Sequence, residues 1–300
     1  MRLKSALEKV GVISQEKVFD SDAPELRNFY LLKFKKGSDI FKIKKTLEEF
    51  KEIEAVDINY ELEIQAIPND QYYPNLWGLE KISMSHAWDL AKGSKSVTVA
   101  IIDTGIDYNH EDLVGQVVKG GDLVNNDDDP MDDFGHGTHV AGTIGALTNN
   151  NKIGVAGINW SVTLMAVKAM AFNGKGETGN IAVGIQKAAD SGANVINLSL
   201  GGGAPCATQT QNAINHAVSK GVTVVVAAGN SNKDARSFSP ASCNGVITVG
   251  ATGPGDERSS YSNYGATVEI SAPGGNNPGC SFGPSRCILS TWPRGAYKSI

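Results

Sequence analysis

The chain has 300 residues, with 27 Lys/Arg against 32 Asp/Glu, a net charge of −5 and four cysteines. That length allows one large domain or two, and the acidic balance, with no basic cluster outside a nearly charge-balanced N-terminal part, excludes a nucleic-acid surface. No apolar run reaches the ~18–20 residues of a membrane span, and Met1-Arg2-Leu3-Lys4 begins a charged amphipathic stretch without the apolar core of a signal peptide.

Residues 1–66 carry 12 basic and 13 acidic residues but only two of the 34 glycines. The remaining 234 residues hold 15 basic, 19 acidic and 32 glycines. Charge density therefore falls by more than half near Ala66-Ile67, which marks a domain boundary. In the first part, Asn28–Phe34 reads as a strand. Ile40–Lys51 reads as an amphipathic helix with Ile40, Ile43, Leu47 and Phe50 on one face. Ala55–Ile64 alternates as a second strand. These make a small α+β unit.

The second part begins its strong signals at Val97–Ile102, a β-branched apolar run with no helical period. Such a run reads as a strand of a parallel sheet buried on both faces. Asp103 ends it, at the carboxyl edge where open α/β folds place their sites, and Thr104-Gly105 turn the chain. Asp122-Leu123-Val124-Asn125-Asn126-Asp127-Asp128-Asp129-Pro130 concentrates oxygen donors on one loop, and alternate residues of such a loop can converge on a hard cation. His136 then opens a helix of small residues, Val140–Ala146. An imidazole there can donate from one nitrogen to a buried carboxylate and accept a proton at the other. His139 reads as a supporting core histidine, since no Cys or Glu nearby completes a zinc set.

Further strands are expected at Leu164–Lys168, Val195–Ser199, Val222–Ala227 and Val246–Gly250. Ser199-Leu200-Gly201 gives one strand a glycine-rich exit whose backbone can pair with an extended peptide. Ala228-Gly229-Asn230 ends another, and an Asn side chain held there can donate to a carbonyl oxygen that becomes negative during acyl transfer. Gly142-Thr143-Ile144-Gly145 is no nucleotide loop, because its glycines fall inside a helix. Cys206, Cys243, Cys280 and Cys287 admit three pairings and form no C-x-x-C motif.

In this order, D-T-G, H-G-T-H-V-A-G, S-L-G-G and A-A-G-N resemble the motifs of the subtilisin-like serine proteases, from about Pro68 to the last residue. The resemblance implies an α/β domain with a mostly parallel sheet flanked by helices, over 67–300, and hydrolysis of polypeptide substrates through an acyl-enzyme. It implies that Asp103 orients the base, His136 is the general base and acid, and Asn230 is the oxyanion donor. A donor in that position is worth about 2.7–4 kcal/mol, a magnitude that comes from the subtilisins themselves. Ser199-Leu200-Gly201 and Ala228-Gly229 become opposite walls of the substrate cleft, with the base of the primary pocket within Arg236–Pro240. The α+β unit of 1–66 takes the place of a propeptide that assists folding and blocks the cleft, with its junction near Gln65–Pro68.

The resemblance also implies structural calcium. One set comprises Asp70, Asp112, the Asn150 side chain and the carbonyls of Leu147, Ile153 and Val155. The other comprises Asp122, Asp127 and Asp129, with Asn125 where an acid is usual. The pairing Cys206–Cys243 is implied, leaving Cys280–Cys287, together with secretion and a monomeric state. The resemblance fails at the end of the chain. Related sequences continue after a segment like Ile288–Trp292 into a G-T-S-M-A motif, and no G-T-S occurs here. Ser299 lacks that context and is not assigned as nucleophile. The expectation is a protease chain incomplete before its serine, and the charged N-terminus is then incomplete too. The competing reading is a non-catalytic, peptide-binding relative that keeps the cleft.

Overall fold

A computed structural model describes residues 7–60, 66–276 and 287–300, and the chain divides into two compact units, Met1–Ile64 and Gln65–Ile300. In the first unit, β1 (Ser14–Lys17) pairs antiparallel with β2 (Tyr30–Lys33), and α1 spans Ile40–Leu47. Asp39 caps α1, its carboxylate accepting from Lys42 N at 3.0 Å. The strand expected at 55–64 is not seen over 55–60, and 61–65 lie outside the described residues. The partner of β2 is Ser-Gln-Glu-Lys, a polar segment with no hydrophobic alternation to betray it.

The second unit opens with α2 (Trp77–Lys81) and α3 (Met84–Leu90). It continues through β3 (Gly93–Asp103), β4 (Val117–Asp122), α4 (His136–Gly145), β5 (Ser161–Lys168) and α5 (Thr178–Asp190). Then come β6 (Val195–Leu198), α6 (Thr208–Ser219), β7 (Thr223–Ala227), β8 (Ile247–Thr252) and β9 (Ile270–Pro273). The hairpin of β10 (Leu289–Trp292) and β11 (Ala296–Ser299) ends the chain.

Strands β3 to β9 form one seven-stranded sheet in the order β4-β5-β3-β6-β7-β8-β9, every pairing parallel. This is the α/β architecture expected. All five strands read from the sequence are present, within a few residues of their expected ends. The two not anticipated are edge strands. β4 is half glycine and acid (Val-Val-Lys-Gly-Gly-Asp), and β9 is four residues closing on a proline.

Alternation along β3 builds the core on both faces. Ala100 and Ile102 join Val167, Ile185, Ile196, Ile214 and Val226 under α5 and α6. Val99 and Ile101 join Ile106, Leu113, Ala141 and Leu164 under α4. A third cluster gathers Leu76, Leu79, Met84, Trp88 and Val155. Among the described residues no helix is long and apolar enough to cross a membrane. Because Ile101 is wholly buried at the centre of the sheet, Ile101→Ala is expected to lower unfolding free energy by about 2–5 kcal/mol in urea titration. A loss below 1 kcal/mol would contradict the core described.

Candidate active site

β3 delivers Asp103 to the carboxyl edge of the sheet at 1% exposure. Its carboxylate accepts from the backbone N of Thr104 at 2.7 Å and from Nδ1 of His136, which lies 2.8 and 2.9 Å from the two oxygens. His136 is the first residue of α4, so the helix start fixes its ring. Gly137 lets that start lie directly on the D-T-G loop, since a side chain there would overlap the carbonyl of Gly105. Among the described residues, no group is hydrogen-bonded to Nε2 of His136. Ser299 is part of β11, paired with Leu289, and makes no bond to His136.

Burial works against charging His136, but the hydrogen bond to Asp103 and the charges of Asp103 and Asp132 outweigh it and raise its pKa above 6.5. His139 behaves oppositely. Burial pulls it down to about 4, and backbone bonds only partly offset this. Its Nε2 faces the carbonyls of Ile288 at 3.1 Å and Lys298 at 3.0 Å, so that nitrogen carries the proton and donates. His139 thus ties α4 to the terminal hairpin.

Asn230 follows β7 and is exposed at the same carboxyl edge. Its turn is held by a residue the sequence reading missed. Asn263, 1% exposed, donates to Ala228 O at 2.8 Å and accepts from the backbone N of Ser231 and Lys233, each at 3.0 Å. Gly229, at φ +102°, leaves room for that amide. Ser199, Leu200 and Gly201 leave β6 without joining the ladder, and Gly202 and Ser239 then exchange backbone hydrogen bonds of 2.9 and 3.0 Å. The Phe238 ring lies beside both Gly203 and Gly229. Cys206 is bonded to Cys243, bracing this region. Cys287 is disulfide-bonded as well, and Cys280 lies outside the described residues.

Lys168, the register partner of Asp103 in β5, is also fully buried. Its ammonium donates to Thr104 O at 2.8 Å and to Asp133 at 2.5 Å. Its place at the end of an expected strand was the signal, unread because one buried Lys carries no motif.

The two expected calcium sets differ. Asp70 and Asp112 are buried and meet the 147–155 loop. Asp112 accepts from Asn150 Nδ2 at 2.7 Å and Val155 N at 2.9 Å, and Asp70 from Asn149 N at 3.0 and 3.1 Å. Burial raises Asp70 and drives Asp112 up to about 7. The Oδ1 of Asn150 is buried with no hydrogen-bond partner among the described residues. In the other set, Asp122 and Asp127 exchange backbone hydrogen bonds, and Asp127 accepts from the backbone N of Asp129 at 2.8 Å. Asp122 closes a turn on the backbone N of Val124 and Asn125 and binds the Asn125 side chain. Asp129 turns to Tyr108 at 2.6 Å and Lys119 at 2.9 Å. No three His, Cys, Asp or Glu side chains converge on a metal position among the described residues.

The subtilase family (Peptidase_S8) matches residues 94–300. The chain belongs to the subtilase family. It is 44% identical over 271 residues to a thermophilic serine proteinase of Bacillus sp. (strain AK1), covering 90% of this chain and 65% of that protein. It is 42% identical over 234 residues to thermitase of Thermoactinomyces vulgaris, covering 78% of each. Among solved structures, a protease of Pseudoalteromonas arctica PAMC 21717 matches with TM-score 0.72 and 36% identity, over 78% of this chain and 82% of that one. This subtilase chain therefore spans just under two thirds of the Bacillus proteinase.

The raised pKa of His136 has a fixed sign in stability. The stabilisation from its pair with Asp103 is fully present below the unfolded value near 6.5 and is lost as pH rises through the higher folded value. NMR titration should place the His136 midpoint above 6.5, and Asp103→Asn should lower it. A midpoint unchanged by Asp103→Asn would show that the two side chains are not paired.

Proposed function

We propose that residues 67–300 form the acid–base and oxyanion framework of a serine endopeptidase acting on polypeptides. The observation that carries this reading is the buried Asp103 bonded to Nδ1 of His136, with Nε2 left unbonded among the described residues. Asp103 orients the ring and stabilises its charged form. His136 takes the proton from an attacking hydroxyl and returns it to the leaving amine, and Asn230 donates to the oxyanion. An extended substrate lies along Ser199-Leu200-Gly201, opposite Ala228-Gly229, with Phe238 limiting the depth between them. Among the described residues no hydroxyl is hydrogen-bonded to His136. The family and the serine proteinase and thermitase relatives support the reaction class.

The N-terminal unit acts as the propeptide of this domain, with the junction near Gln65–Pro68. A match covering 90% of the chain necessarily runs into that unit, which supports its being a regular part of related chains. The disulfides support a site of action outside the cell, and the working form is a monomer.

Calcium suits the first set, since two buried carboxylates and an orphaned amide oxygen are a hard-oxygen donor group. Asp70, Asp112, Asn150 Oδ1 and the carbonyls of Leu147, Ile153 and Val155 would hold it. When bound it supplies charge neutralisation and rigidity, not chemistry.

Two tests follow. The 300-residue chain should cleave a chromogenic peptide amide no faster than the ~10³–10⁴ over water left by binding and the oxyanion donor. Extension through a Gly-Thr-Ser-Met-Ala segment should create activity that a serine-directed phosphonylating reagent abolishes. In that extended form Asn230→Ala should cut kcat about 10²–10³-fold. Robust cleavage by the 300-residue chain, lost on Ser299→Ala, would contradict the reading. Separately, calcium at 100 times its Kd should stabilise the chain by about 2.7 kcal/mol in thermal melts. Asp112→Asn should remove that gain and Asp129→Asn should keep it; loss with Asp129→Asn alone would move the site to the acidic loop.

A further inference from the structure

Asp132 lies four residues before His136 and touches neither partner of the acid–base pair. It is 6% exposed, and among the described residues no cation is paired with it. Five neutral donors converge on it instead. One oxygen accepts from the Thr104 hydroxyl at 2.8 Å and the backbone N of Phe134 and Gly135 at 3.0 and 2.8 Å. The other accepts from the backbone N of Thr138 at 2.9 Å and its hydroxyl at 2.6 Å.

The two oxygens face two different pieces of chain. Thr104 follows Asp103 directly, and its hydroxyl also accepts from the backbone N of Gly137 at 2.9 Å. Thr138 belongs to the first turn of α4, and its hydroxyl accepts from Asp107 N at 2.9 Å. Ordinary helix capping needs one acceptor for one or two backbone donors. Here a carboxylate spends three bonds on the helix entry and first-turn backbone and two on hydroxyls, one of them from the Asp103 loop. Hydrogen bonds to a charged acceptor are the stronger class, and burying that charge without a counter-ion is tolerated only with its oxygens fully occupied.

The geometry points to Asp132 as a positioning residue that fixes Asp103 against His136, by tying the Asp103 loop to the first turn of the His136 helix through Thr104 and Thr138. This rests on the reading of the Asp103–His136 pair given above. The charged and titratable groups around His136 are few. Asp103 faces it from β3 and Asp132 from the loop before α4, and both favour the protonated ring. His139, on the same helix, is held neutral by burial. Lys298 of β11 lies over the Trp292 ring, and Lys168 at the end of β5 is taken up by Asp133 and Thr104.

The test uses the 300-residue chain, ¹⁵N-labelled, and reads the His136 Nδ1 proton resonance and titration midpoint. Asp132→Asn should broaden or remove that resonance and lower the midpoint by about half a unit, less than Asp103→Asn does. Thr104→Val should also lose the resonance, while Thr104→Ser, which restores the hydroxyl, should retain it. If Asp132→Asn does not fold, the Thr104 pair decides alone. Variants that melt earlier but keep the resonance and midpoint would make Asp132 a helix cap only and overturn the proposal. Failure of Asp103→Asn to move the midpoint would instead remove the acid–base reading.

Discussion

A carboxylate at 1% exposure at the carboxyl end of an inner strand needs hydrogen-bond partners, and the arrangement around Asp103 supplies them. The sheet brings the strand end to its carboxyl edge, and the turn at Thr104 gives one backbone donor. The other partner comes from a separate element, α4, so the burial of Asp103 dictates where that helix must begin. Displace the helix start and a buried charge is left with one bond. The geometry of the Asp103–His136 pair and the stability of the fold therefore draw on the same contact.

That demand explains the composition of α4. The helix is pressed between the sheet and the terminal hairpin. A side chain at Gly137 would strike the Gly105 carbonyl, and one at Gly142 would strike Ser290 and Thr291. The hairpin returns bonds of its own, from Ser290 and Thr291 hydroxyls to the carbonyls of His139 and Thr138, each 2.7 Å. With His139 donating back to Ile288 and Lys298, the helix is held on the hairpin side by side-chain to backbone bonds in both directions. Small residues in α4 are thus a packing requirement on two faces rather than a helix preference.

The buried strands were legible because apolar β-branched runs such as Val97–Ile102 have no other comfortable place than a two-faced core. Asp103 and His136 were legible because short motifs encode their local turns. Residues that hold the site from behind were not. Asn263 and Lys168 act through long-range contacts to backbone, and Asp132 joins nearby backbone donors to the distant Thr104 hydroxyl; nothing in their immediate sequence marks an Asn, Lys or Asp as buried. The polar β1 was invisible for the same reason, since its pairing with β2 leaves no periodic signal. In the acidic loop, Asp122 accepts from its own turn, and one oxygen of Asp129 accepts from Tyr108 and Lys119.

The most direct measurement is a crystal structure of the chain with a short peptide bound as a cleavage product. The account predicts its backbone paired along Ser199-Leu200-Gly201, with the terminal carboxylate within hydrogen-bond distance of both His136 Nε2 and the Asn230 side chain. A peptide seated elsewhere, or a carboxylate contacting neither group, would contradict the account.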